Sequence, residues 1–103
     1  MDNLRIALEA DDERQIIAVS GEIDYLTAPQ VRAALKTVCE SGAQDIVIDL
    51  KGVTFLDSTG LRELIRAVTT CNEHTAELVI VTNPTVRRIL ETTGLVGILP
   101  LQN

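Results

Sequence analysis

Asp57-Ser58-Thr59-Gly60-Leu61 closes an apolar stretch, Ile46-Val47-Ile48-Asp49-Leu50-Lys51-Gly52-Val53-Thr54-Phe55-Leu56, and opens a helical pattern. A serine at a helix start lies where unpaired backbone N–H groups and the helix dipole favour negative charge. Two chemistries fit that position. Asp57 or Ser58 can cap the helix, an interaction worth about 1 kcal/mol. Alternatively, the hydroxyl can carry a phosphate at an exposed recognition site. Gly60 weakens the first helical turn by up to about 1 kcal/mol relative to Ala. Close approach by a partner's backbone is one reason to have a glycine there. A second acidic segment, Gly21-Glu22-Ile23-Asp24, precedes an earlier helix start.

Other chemistry is poorly supported. No nucleophile elbow, phosphate-binding P-loop or dinucleotide fingerprint occurs, so an enzyme is not expected. The single histidine, His74, lies about four turns along the second helix from Ser58, on the order of 20 Å away at about 1.5 Å per residue. That is too far for a general base, and a solvated loop histidine is the expected reading. Asp57 at a strand end invites comparison with the phosphoaspartate of response regulators. The acidic pair and late lysine of those proteins have no counterpart here. Cys39 and Cys71, near the ends of two predicted helices, lack metal-ligand spacing and read as buried structural thiols. No metal and no cofactor are expected.

The 103 residues suit one domain, 1–103, and 46% of them are hydrophobic with no Trp, one Tyr and one Phe. The core must therefore be aliphatic. A net charge of −6 argues against nucleic acid or anionic membrane as a partner. No apolar run reaches the roughly 18 residues of a membrane span, and the N-terminal residues lack a signal-peptide layout. A cytoplasmic protein is expected. Glu9, Asp11, Asp12 and Glu13 read as a solvated turn.

The elements that must position the motif follow from periodicity. Leu4, Ile6 and Leu8 alternate with less apolar neighbours, Gln15–Ser20 gives a second strand, and the acidic turn joins them as an antiparallel hairpin. Thr27-Ala28-Pro29-Gln30 reads as a capping box, with Val31, Ala34, Leu35 and Val38 at helical spacing and a stop at Ser41-Gly42. Ile46–Leu50 reads as a central strand covered on both faces. The second helix carries Leu61, Leu64, Ile65 and Val68 on one stripe, with Arg62, Glu63 and Arg66 opposite. Leu78–Val81 is another buried strand. Asn83 and Pro84 begin a third helix with Val86, Ile89 and Leu90 inward and Gly94 after its end. Val96–Leu101 reads as a last strand, held at an edge by Pro100. The order β-β-α-β-α-β-α-β implies an α/β fold with a mixed, mostly parallel sheet.

Taken with this order, three segments resemble the STAS domain, the fold of bacterial anti-sigma factor antagonists. They are Gly21-Glu22-Ile23-Asp24 before the Thr-Ala-Pro helix start, Phe55-Leu56-Asp57-Ser58-Thr59-Gly60-Leu61, and Asn83-Pro84 through Gly94-Leu95. The resemblance covers essentially the whole chain. It implies an antagonist whose serine, here Ser58, is phosphorylated by an anti-sigma factor that is itself a serine kinase. Unphosphorylated, the antagonist binds that kinase and releases a sigma factor; a serine phosphatase resets the cycle. ATP and Mg²⁺ belong to the kinase. Thr59, where many members carry Ser or Ala, is a minor acceptor candidate. The implied partner surface comprises Glu22, Asp24, Tyr25, Thr27, Asp57, Ser58, Thr59, Gly60, Leu61 and Arg62. Many members add a C-terminal helix after the last strand, which is expected to be short or absent here, leaving room for a weak homodimer as well as a monomer. Competing readings within the family are a constitutive adaptor of a lipid-transport ABC complex and a component of a stress-signalling scaffold.

Overall fold

The computed structural model describes residues 3–11 and 14–102. Strands β1 (Leu4–Asp11) and β2 (Arg14–Ile23) pair antiparallel, from Leu4 opposite Gly21 to Asp11 opposite Arg14. Asp12 and Glu13 of the expected acidic turn lie outside the described residues. From β2 onward strands and helices alternate: α1 (Ala28–Cys39), β3 (Asp45–Leu56), α2 (Ser58–Glu73), β4 (Glu77–Val81), α3 (Pro84–Thr92) and β5 (Leu101–Gln102). The strands lie side by side in chain order, and β2 to β5 are parallel. This is the mixed, mostly parallel sheet predicted from the element order.

Each crossover advances one strand in the same direction. Right-handed connections then place successive helices on the same face. Helices α1 and α2 pack against each other there. Ile17, Ile48 and Ile80, partners across β2, β3 and β4, have no exposure at all. Their neighbours Ile16, Val47 and Val79, on the other face, are only half-buried. The cover expected on both faces of Ile46–Leu50 is thus complete on one.

Strand β3 runs well past Leu50, where the sequence pattern breaks at Lys51-Gly52. Bulges accommodate the break. Between the pairs Ala18–Asp49 and Ser20–Gly52 β3 carries one more residue than β2, and Thr54 is a second extra residue before Phe55. Bulges of this kind keep a strand in the sheet while re-aiming its side chains. Opposite them Gly21 adopts φ +99°, and a Cβ there would lie 1.6 Å from the Asn3 carbonyl oxygen, so only glycine fits.

Asn83 caps α3 as predicted, its Oδ1 accepting from the Val86 N–H at 2.7 Å. Its Nδ2 also donates to the Val53 and Lys51 carbonyls at 2.8 and 2.9 Å. One side chain therefore starts α3 and fastens it to the bulged half of β3. The chain after α3 departs from expectation. Val96–Ile98 forms a 3₁₀ turn, and only Leu101–Gln102 joins the sheet, beside Ile80 and Val81. Leu99 is buried in the core, so apolar residues that read as a strand are buried through a turn instead. Pro100 sits at the sheet edge as expected, its carbonyl accepting from Ile80 N–H at 2.8 Å.

Candidate functional site

Ile23 and Leu56 end two adjacent parallel strands and are paired in register. Asp24 and Asp57 follow them directly. The sheet thus delivers two carboxylate-bearing residues side by side, on backbones spaced by about 4.8 Å. Asp57 N–H continues the ladder one step, donating to the Ile23 carbonyl at 3.1 Å. The two acidic residues then take different local jobs.

Asp57 is the N-cap of α2. Its backbone is extended (φ −101°, ψ −174°), and its Oδ1 accepts from the N–H groups of Thr59 and Gly60 at 2.9 and 3.0 Å. Of the two capping candidates Asp57 performs the task. Ser58 is the first helical residue and is exposed, and its side chain has no hydrogen-bond partner among the described residues. Thr59 is half-buried.

Asp24 organises the loop before α1. Its Oδ1 accepts from Leu26 N–H at 2.9 Å and Thr27 N–H at 3.1 Å. The Thr27 hydroxyl accepts from Asp24 N–H and donates to the Glu22 carbonyl, both at 2.9 Å. Thr27 therefore does not form the expected capping box: its backbone is already helical (φ −95°, ψ −17°), and its hydroxyl turns back into the loop. This network projects Tyr25 and Leu26 into solvent, 70% and 69% exposed. Phe55, on the bulged end of β3, is 46% exposed. Sequence reasoning included Tyr25 but missed Leu26 and Phe55. The signal for Leu26 was an apolar pair in a loop just before a helix; Phe55 was hidden because β3 was expected to have ended.

The rest of the expected partner surface divides by burial. Glu22, Asp24 and Asp57 are half-buried and Arg62 is exposed. Thr27, Gly60 and Leu61 are buried, so they shape the surface from beneath rather than make contacts. Gly60 has an internal reason to be glycine. An added Cβ would lie 2.6 Å from Leu56 Cδ1 and 2.7 Å from Ile23 Cγ2, so the close approach is to this chain's own strands.

The outward stripe of α2 also needs correction. Arg62 and Arg66 are exposed, but Glu63 is 1% exposed. Its carboxylate takes a two-pronged contact from Arg32 of α1, Nε to Oε1 at 3.1 Å and Nη2 to Oε2 at 2.9 Å, with Arg66 Nε 3.8 Å away. Glu63 raises the Arg32 pKa, first through this hydrogen bond and then through its charge. His74 caps the far end of α2 from Ser58, as the helix length required. Among the described residues no helix is long and apolar enough to cross a membrane.

A sequence profile of the STAS domain family matches residues 5–103. Among curated relatives, the anti-sigma-B factor antagonist of Staphylococcus aureus (strain NCTC 8325 / PS 47) is 32% identical over 94 residues, covering 90% of this chain and 87% of the relative. The crystal structure of an anti-sigma factor antagonist from Mycobacterium paratuberculosis superposes with a TM-score of 0.85 at 34% identity, covering 95% of this chain and 84% of that one. The anti-sigma factor antagonist SpoIIAA of Bacillus shares the fold at 23% identity, with TM-scores of 0.77 unphosphorylated and 0.71 phosphorylated. These likenesses cover 95% of this chain and, respectively, 86% and 89% of those chains. The chain belongs to the STAS domain family.

Proposed function

We propose that this protein is an anti-sigma factor antagonist that binds an anti-sigma factor serine kinase when unphosphorylated, so releasing a sigma factor, and is switched off by phosphorylation at Ser58. The observation that carries the reading is Ser58 itself: an exposed hydroxyl at the first position of α2, relieved of capping by Asp57. An acidic pair set by strand register precedes it, and the segments that carry that pair expose Tyr25, Leu26 and Phe55. Aromatic and apolar anchors next to charge are what a specific docking surface uses. The names of the relatives point the same way.

Phosphorylation would add about −1.5 to −2 charge. The N-terminus of α2 favours that charge, and Arg62, one turn on, lies on the same side of the helix. The Asp57 carboxylate opposes it but holds its own N–H partners. The domain should therefore stay folded, and the effect should fall on the interface. Placing like charge against a complementary surface costs on the order of 2–5 kcal/mol. That weakens binding by roughly 30- to several-thousand-fold. ATP and Mg²⁺ enter with the kinase, and a serine phosphatase resets the site.

The test is incubation with the cognate anti-sigma factor and Mg²⁺–ATP, followed by mass spectrometry and a binding titration. Phosphate is expected at Ser58, with Thr59 as the minor alternative, together with loss of the complex. Ser58→Ala should bind and resist ATP, and Ser58→Asp should bind poorly. Failure of wild-type protein to take up phosphate while its complex persists would overturn the switch. Co-purification with a transporter ATPase would favour a constitutive adaptor, and assembly into a large multimer would favour a scaffold.

A further inference from the structure

Cys39 and Cys71, the only cysteines of the chain, lie far apart in sequence but face each other where α1 and α2 pack. Their sulfurs are 3.0 Å apart, and both side chains are buried. A second link already ties the same helices, the Arg32–Glu63 fork. The residue numbers of both links increase together along α1 and α2, so the helices run parallel and the two links form rungs at different heights. Cys39 also lines a groove of about 560 Å³ between the helices, together with Arg32, Leu35, Arg62 and Ala67. The groove brings a small solute to the Cys39 side of the pair, while Cys71 does not line it and is fully buried.

We propose that Cys39 and Cys71 are an intramolecular disulfide site, oxidised by peroxides to a covalent staple between α1 and α2 and reopened by thiol reductants. A disulfide bond is about 2.05 Å long, so the sulfurs need close by only about 1 Å. The chemistry balances without a protein cofactor. One thiolate attacks a peroxide oxygen, the O–O bond breaks, and a sulfenic acid and water result. The second thiol then attacks the sulfenic sulfur and expels a second water as the S–S bond forms. Two thiols and one hydrogen peroxide give one disulfide and two waters. Burial opposes ionisation at both sulfurs, whereas the hydrogen bond between them lets one ionise at the other's expense. Whichever sulfur reacts first, its resolving partner is already in contact.

Cys71 lies about 20 Å along α2 from Ser58 at about 1.5 Å per residue. The staple is therefore remote from the proposed docking surface, and its test stands apart from the proposed function. The full chain is treated with stoichiometric hydrogen peroxide, then examined by thiol titration, intact mass and peptide mapping. The expected result is loss of both titratable thiols, a mass decrease of about 2 Da for the two hydrogens removed, and a joined Cys39–Cys71 peptide in a protein of unchanged oligomeric state. The melting temperature should rise by at least about 5 °C and return on reduction. Cys39→Ser and Cys71→Ala should each abolish the joined peptide and the rise. Retention of both thiols, cysteine-linked dimers or overoxidation to sulfinate in the wild type would overturn the proposal.

Discussion

Asp57 caps α2 and its neighbour Ser58 does not, so substitutions at them should part company. Asp57→Ala removes the oxygen that accepts from Thr59 and Gly60 N–H, and should cost about 1 kcal/mol, within a range of about 0.5–2, in urea unfolding. Ser58→Ala removes a side chain that bonds to no described residue, and its unfolding curve should match the wild type within about 0.5 kcal/mol. Equal losses at both positions would mean that capping is shared. Gly60→Ala drives a methyl against Leu56 and Ile23 and should cost about 1–3 kcal/mol by overpacking, despite the better helix propensity of Ala. At this scale the sequence located the helix start but left open which oxygen caps it. Both side chains are competent caps, and the choice depends on which residue keeps an extended backbone. The reason for Gly60 was likewise hidden, because Ile23 lies on a strand distant in sequence.

Between elements, the strongest fastenings are polar side chains that look ordinary in sequence. Arg32→Met would leave the buried Glu63 carboxylate, among the described residues, with only Arg66, 3.8 Å away. It should therefore lower the melting temperature more than Arg66→Met does; the reverse order in paired thermal melts would contradict the geometry. Asn83→Ala loses a helix cap and several donations to β3 carbonyls together. Its cost should exceed that of Asp57→Ala and reach about 2 kcal/mol or more in urea unfolding. The caps and apolar stripes that define helices are local signals, so α1, α2 and α3 were legible. The extension of β3 was not, because Lys51-Gly52 mimics a turn and its bulges exist only against β2. Glu63 was assigned outward for the same reason: its cationic partner belongs to another helix. Val96–Leu101 misled in the other direction, since an apolar run does not say whether it is buried as a strand or through a turn.

For the whole molecule, the consequential prediction concerns what phosphorylation leaves alone. The chain carries a net charge of −6, and a phosphate at Ser58 would take it to about −8. The added charge lies at the favourable end of α2, outside the core. The phosphorylated protein should melt within a few degrees of the unmodified one, while its affinity for the partner falls by orders of magnitude. A large drop in melting temperature would mean that the modification acts by loosening the fold. The mixed, mostly parallel sheet was legible from the alternation of elements, but the sequential strand order was not, because right-handed crossovers also allow orders that reverse direction.

The division of labour at the start of α2 has an evolutionary side. A position that must both hold a helix and carry a signal can change only at a cost to stability. Here the neighbouring aspartate caps the helix, so a change at position 58 costs the fold little. On the proposed switch, a gene copy with alanine there would still encode a folded protein, held in its binding state. One with aspartate would approach the opposite state. On that switch, single substitutions would change the regulator's logic with no compensating change elsewhere in the domain.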